Sequence, residues 1–301
     1  MKTLHYQNES LFQNFQQLDI EVNAEQKSVW LYFNSFPRPC FTPTLFEELA
    51  RFQSILKHHD GRLSCAGEYI DIEYSIITSR HPVFSLGGDL NYFIECVHKR
   101  DRNALAKYAR LAIDGMYFNF IGRDLGITTI SMIHGDALGG GFEAALSSHV
   151  LVAEKRANFG LPEVLFNMFP GMGAYNLLSH RLNPAMAERL ILSGQRYSAE
   201  QMFEMGLIDI LAGNGSSEQA VDQFIKSHKR HKNTRQALGK IKSMLNPLDY
   251  QQLLEIGDIW VDSALSLGER EIRIMQRLIH GQTKLLEDSR HQPLLASAST
   301  G

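Results

Sequence analysis

Apolar and polar residues alternate with a period of two at 18–23 (LDIEVN) and 28–34 (SVWLYFN), on either side of a polar AEQK. That pattern predicts a β-hairpin, because successive strand side chains point to opposite faces. Residues 1–17, polar with scattered aromatics, read as an N-terminal extension. After a loop with two prolines, Thr42-Pro43 places a capping residue before a proline at the first helical position. The helix that follows, TLFEELARFQSILKHH, is expected to end near Gly61. YIDIEYSIITS (69–79) predicts one long strand, and Asp89, after Gly87-Gly88, suits the N-cap of the next helix. Helical spacing runs over 103–123, lightly interrupted by Gly115.

An apolar strand at 128–133 then runs into Gly139, Gly140 and Gly141, and a small-residue helix is expected from about Phe142. Strands at 150–153 and 207–212 bracket helices near 173–182, 184–193 and a short one opened by SAEQ, whose Ser198 and Gln201 have capping-box spacing. The composition breaks at GNGSS (213–217). Beyond it only helical patterns occur, at about 218–230, 234–245, 248–265 and 269–286, before a tail expected to fray. Strands alternating with helices, then helices alone, predict an α/β core over 18–215 and a helical region over 216–301.

The chemistry concentrates between Ile133 and Glu163, in IHGDALGGGFEAALSSHVLVAEKRANFGLPE. Glycines let backbone N–H groups approach a ligand closely. A helix N-terminus adds unpaired donors and partial positive charge. Together they suit a developing oxyanion. Glu143 and Glu163 supply an acid and a base if the fold brings them together. The same glycines also fit a dinucleotide fingerprint, Gly139-x-Gly141-x-x-Ala144. Against that reading, the strand ends several residues early and Glu163 follows Gly-Leu-Pro.

Composition narrows the classes. With 301 residues and 44% apolar content the chain can bury a substantial core, and a net charge of -3 gives no reason to expect nucleic acid or an anionic membrane. Three scattered cysteines, Cys40, Cys65 and Cys96, fit a reducing compartment and show no metal-ligand spacing. Neither a signal peptide nor a membrane span is seen, which predicts a cytoplasmic protein. His228 and His231 read as part of a solvated basic helix face, not a metal site. Seven Lys/Arg and no acid lie between Asp222 and Asp249. They read either as a solvated face or, through Lys229, Arg230, Lys232 and Arg235, as a dock for an anionic carrier.

GDALGGGFEAAL, then FGLPE and FPGMG, then AERLILSGQRYSAEQMFEMGLID, resemble the crotonase (enoyl-CoA hydratase/isomerase) superfamily over about residues 20–285. PVFSLGGDLNYF, AYNLLSHRL and IGDIWVDSALSL are most similar to the RpfF-type synthases of diffusible signal factor. The resemblance implies a crotonase-type ββα spiral core, with the helical region covering the site and mediating a trimer-based homo-oligomer. It implies oxyanion N–H donors at Gly88 and Gly140 and an acid–base pair at Glu143 and Glu163, with the division of labour open.

The implied function is a dehydratase and thioesterase. It would convert a 3-hydroxyacyl group on acyl carrier protein to a free cis-2-unsaturated fatty acid signal. A conventional enoyl-CoA hydratase/isomerase is the alternative. The acyl group would arrive on phosphopantetheine or CoA, with no other cofactor and no metal. Acyl carrier protein and the receiver region of a sensor kinase are the implied partners. Met168, Met172, Trp260 and Leu278 are expected to line the acyl pocket.

Overall fold

The computed structural model describes Leu4–His5, Phe12 and residues 14–291 apart from 66. The expected fraying tail and most of the N-terminal extension lie outside them. The extension does supply β1 (Leu4–His5), paired antiparallel with the following strand, and Phe12, which is buried in the main core.

The predicted hairpin forms as β2 (Leu18–Asn23) and β3 (Ser28–Phe33). Helix α1 (Pro43–His58) starts where the sequence places it, with Leu45 N–H donating to Thr42 Oγ1. The long strand expected at 69–79 is two strands. β5 (Glu68–Asp71) folds back on β4 (Arg62–Cys65) as an exposed-edged hairpin, and the chain re-enters the sheet as β6 (Tyr74–Ser79). Between them Ile72 N–H donates to Gly61 O and Glu73 N–H to Lys27 O, which turns the chain from one partner to the other. The alternation in YIDIEY therefore belongs to a half-exposed hairpin, and the continuous burial of YSIITS to an interior strand.

α2 (Leu90–Lys99) and α3 (Arg102–Phe120) follow, then β7 (Thr128–Ile133), β8 (Ala137–Leu138), α4 (Gly140–Leu146) and β9 (Val150–Glu154). β10 (Asn158–Gly160) leads to a 3-10 turn at Pro162–Phe166. α5 (Ala174–Arg181), α6 (Pro184–Ser193), β11 (Arg196–Ser198), α7 (Ala199–Glu204) and β12 (Ile210–Ala212) complete the core. Ser198 and Gln201 close the expected capping box.

The strands form a seven-stranded sheet in the order β1-β2-β3-β6-β7-β9-β12, parallel from β3 onward, and a small sheet β11-β10-β8. Strands β8, β10 and β11, of two or three residues, carry too little pattern to be read from sequence.

Four helices close the chain: α8 (Ser217–Arg230), α9 (Lys232–Leu245), α10 (Tyr250–Leu265) and α11 (Glu269–His291). α8 packs on the sheet at β7, β9 and β12, α10 on α3, and α11 on α2. His228 corrects the solvated-face reading: it is buried, with Nδ1 3.0 Å from the Tyr74 hydroxyl. His231 is exposed. Among the described residues no helix is long and apolar enough to cross a membrane, and the three cysteines are free and buried.

Ile76, at the centre of β6, is fully buried between β3 and β7. Ile76→Ala should lower stability by about 2–5 kcal/mol, read as a shift in the denaturant midpoint at unchanged slope.

Candidate active site

The site is built where two loops meet. In the first, Phe41 N–H donates to Gly87 O (2.8 Å) and Asp89 N–H to Phe41 O (3.2 Å), so Gly88 forms a parallel bridge with Phe41. The N–H of Gly88 therefore points away from Phe41. Three side chains hold this loop. The Tyr108 hydroxyl donates to Phe41 O (2.5 Å) and accepts from Asp89 N–H (3.0 Å). Asp89 caps α2 and pairs with the buried Arg38 at 3.1 Å.

The second loop is the glycine run. Gly139 has φ +52°, a backbone that favours glycine, and its N–H donates to Gly160 O (2.8 Å). A Cβ there would also lie 2.6 Å from Glu163 Oε1. Gly140, not Phe142, opens α4, so its N–H falls outside the helix's own ladder. A Cβ on Gly140 would sit 3.6 Å from Gly88 N and 2.5 Å from Met172 Cε. The two glycine backbones thus lie side by side, with the Met172 methyl packed against Gly140.

Glu143, one turn into α4, is 2% exposed. Its Oε1 accepts from Met172 N–H (2.8 Å) and Ala174 N–H (3.0 Å). Glu163 is presented by the 3-10 turn after Pro162, and its Oε2 is sealed from solvent with no protein partner. Both carboxylates, Gly88 and Gly140 line one cleft.

The family model for Enoyl-CoA hydratase/isomerase matches residues 70–255, which include both loops and both glutamates. The chain belongs to the enoyl-CoA hydratase/isomerase family.

Curated relatives include the fatty acid oxidation complex subunit alpha of Pseudomonas syringae pv. tomato, 30% identical over 151 residues. That match covers 50% of this chain and 20% of the relative. The same subunit in Pseudomonas aeruginosa strain PAO1 is 30% identical over 185 residues, 60% of this chain and 25% of the relative. The chain thus matches a quarter or less of the length of these relatives.

Similar solved structures include an enoyl-CoA hydratase from Bacillus halodurans, with TM-score 0.72, 18% identity, and coverage of 87% of this chain and 100% of that one. Human mitochondrial delta3-delta2-enoyl-CoA isomerase gives 0.70, 17%, 90% and 99%. Pseudomonas aeruginosa DspI gives 0.58, 22%, 86% and 88%. At these identities the likeness is one of fold, and it establishes the crotonase-type α/β architecture.

Within this hydratase/isomerase fold, three of the four expected pocket residues reach the cleft. Met168 and Met172 come from the FNMFPGMG segment. Trp260 reaches in from α10, 5.2 Å from the Phe93 ring and tight against Gly171, where a Cβ would lie 2.4 Å from its Cδ1. Leu278 does not line the cleft. It lies on α11, whose packing on α2 draws it into the apolar cluster that also contains Trp260.

Lys229 and Arg230 are exposed in the last turn of α8, where cations complement the helix dipole, and they are not on the cleft wall. Lys232 and Arg235 belong to α9, and their side chains lie outside the described residues. Tyr108 and Arg38, which brace the Gly88 loop, are absent from the sequence-based set of site residues. An aromatic on a helix and an arginine between prolines carry no distinguishing sequence signal.

Burial raises the pKa of both glutamates. For Glu143 two backbone N–H bonds oppose the rise. For Glu163 the charge of Glu143 adds to it, so Glu163 is the group that holds a proton longer. A carboxyl raised on folding binds more protons folded than unfolded, so its contribution to stability falls as pH climbs above the ordinary carboxylate range. Glu163→Gln should therefore raise Tm by a few degrees at about pH 8.5, with the difference closing at about pH 4.5. A pH-independent difference in thermal melts would contradict this burial effect.

Proposed function

We propose that this protein adds water to, or removes it from, an acyl thioester at C2 and C3. Hydratase/isomerase-like chemistry is the family's. The narrower assignment is carried by one observation: two carboxylates, one held by two backbone N–H donors and the other with an oxygen sealed from any partner, line the same cleft as Gly88 and Gly140. In this reading the Gly88 and Gly140 N–H groups donate to the thioester oxygen as it gains charge.

In the hydration direction Glu143, ionised and held by its two N–H donors, takes a proton from water. The oxygen bonds to C3 while the C2=C3 double bond opens toward the carbonyl. Glu163, protonated, delivers its proton to C2. Dehydration is the reverse: Glu163 takes the C2 proton, and Glu143 protonates the departing hydroxyl. The cleft wall of Phe93, Met168, Met172 and Trp260 excludes bulk water and suits an alkyl group.

The narrower signal-synthase reading adds release of the free acid from acyl carrier protein. It rests on PVFSLGGDLNYF, AYNLLSHRL and IGDIWVDSALSL alone. Apart from DspI, the proteins named above carry hydratase, isomerase and fatty-acid-oxidation names, which favours the hydratase/isomerase reading. Purified protein incubated with a 2-enoyl-CoA and, in parallel, with 3-hydroxydodecanoyl-acyl carrier protein separates the two by mass spectrometry. Reversible hydration on CoA without acid release supports the hydratase. Free cis-2-dodecenoic acid from the carrier protein supports the synthase. Inertness toward both overturns the proposal.

Glu143→Gln and Glu163→Gln should each lower kcat by roughly 100-fold or more at unchanged fold, measured on whichever substrate turns over. Hydration needs Glu143 ionised and Glu163 protonated. Its kcat/KM should follow a bell whose two limbs both lie above the ordinary carboxylate range, rising as Glu143 ionises and falling as Glu163 loses its proton. A flat profile from pH 6 to 9 would show that these two groups do not set the rate.

A further inference from the structure

Gly88 is a glycine without a conformational reason to be one. Its φ lies outside the left-handed region, unlike that of Gly87 at +95°. A Cβ on Gly88 would meet one group closely, the Tyr108 hydroxyl, at 3.1 Å. Tyr108 comes from α3, is buried, and is held edge-on to the Phe46 ring with centroids 5.1 Å apart. Its hydroxyl stands against the place where residue 88 would otherwise carry a side chain.

That hydroxyl helps decide which backbone donor the loop leaves free. Gly87 N–H donates to Ser85 Oγ (3.2 Å). Asp89 N–H is shared between Tyr108 Oη (3.0 Å) and Phe41 O (3.2 Å). Of three successive N–H groups the outer two are thus spent inside the protein. The middle one, on Gly88, has no hydrogen-bond partner among the described residues.

Tyr108 also lines the cleft, yet its own proton is given to Phe41 O (2.5 Å) and is not on offer to a substrate. Burial pushes its pKa well up, so the hydroxyl stays protonated and that bond persists. The Gly140 donor is set differently, by the backbone at the start of α4. One of the two donors therefore depends on a side chain from a distant helix, and the other does not.

We infer that Tyr108 is the positioning residue of the Gly88 donor: by tying Asp89 N–H to Phe41 O it aims Gly88 N–H at the substrate oxygen, and by occupying the side-chain space it requires glycine at 88. The inference rests on the acyl-thioester reading of the cleft and adds to it a residue outside the glycine loops. Losing one oxyanion donor outright costs roughly 100- to 1000-fold in rate. Loosening one costs less, about 10- to 100-fold, because a small misplacement already weakens the transition-state bond.

Tyr108→Phe removes the hydroxyl and keeps the ring. On a 2-enoyl-CoA substrate its kcat is expected to fall about 10- to 100-fold while KM stays within about threefold. Both limbs of the pH profile should stay in place, because Tyr108 keeps its proton throughout. An unchanged kcat, or a displaced limb, overturns the inference. An aryl-substituted 2-enoyl-CoA reads the donor directly, since its absorption moves to longer wavelength as the thioester oxygen accepts hydrogen bonds. The red shift seen with wild-type protein should shrink in Tyr108→Phe. It should persist in Tyr92→Phe, whose ring packs on Tyr108 at 5.4 Å.

Gly88→Ala approaches the same contact from the other side. Its Cβ presses on the Tyr108 hydroxyl, so it should reduce the red shift in wild-type protein and cost little more in the Tyr108→Phe background. Additive losses overturn the inference. If Tyr108→Phe does not fold, Gly88→Ala alone is read, and an undiminished shift rejects the role of Tyr108. A wild-type protein that gives no red shift and hydrates nothing rejects the acyl-thioester reading and the inference with it. A wild-type shift unmoved by Tyr108→Phe keeps that reading and rejects the role of Tyr108 alone.

Discussion

Glu143 and Glu163 share an apolar cleft, and two carboxylates in such a place cannot both carry charge without a large loss of solvation. The fold settles the conflict by unequal treatment. Glu143 receives two backbone N–H donors from the chain after α4, while Glu163 Oε2 receives none. Burial raises both, and the two donors hold Glu143 closer to the anion than its neighbour. That asymmetry sets two identical side chains in different surroundings.

Holding the pair in this state requires backbone to come closer than side chains allow. Gly139, at φ +52°, gives way to the Glu163 carboxylate, and Gly141 to the backbone of Ser85, where a Cβ would lie 2.6 Å from its carbonyl oxygen. Gly171 does the same for Trp260, which brings a C-terminal helix down onto the cleft. The Gly88 loop is in turn fixed by Tyr108, Asp89 and Arg38, none of which lies in the glycine-rich segment. The site is therefore the meeting place of a rigid parallel sheet, a braced loop and a helix added from the end of the chain.

Much of this is legible in the amino-acid sequence alone. Period-two alternation marks β2 and β3, the Thr42-Pro43 and Ser198/Gln201 caps mark helix starts, the glycine run points to Glu143 and Glu163, and the family resemblance adds Gly88 and Gly140 to the residues that meet in the cleft. These signals are local, set by backbone geometry and by which side chains a glycine or a cap excludes. Tertiary structure alone decided the split of 69–79 into two strands, because burial and not alternation separates a hairpin from an interior strand. It also decided the burial of His228, the removal of Leu278 from the cleft and the Tyr108 brace. Each of these depends on which distant element packs against the residue, and its own neighbours in sequence hold no record of that.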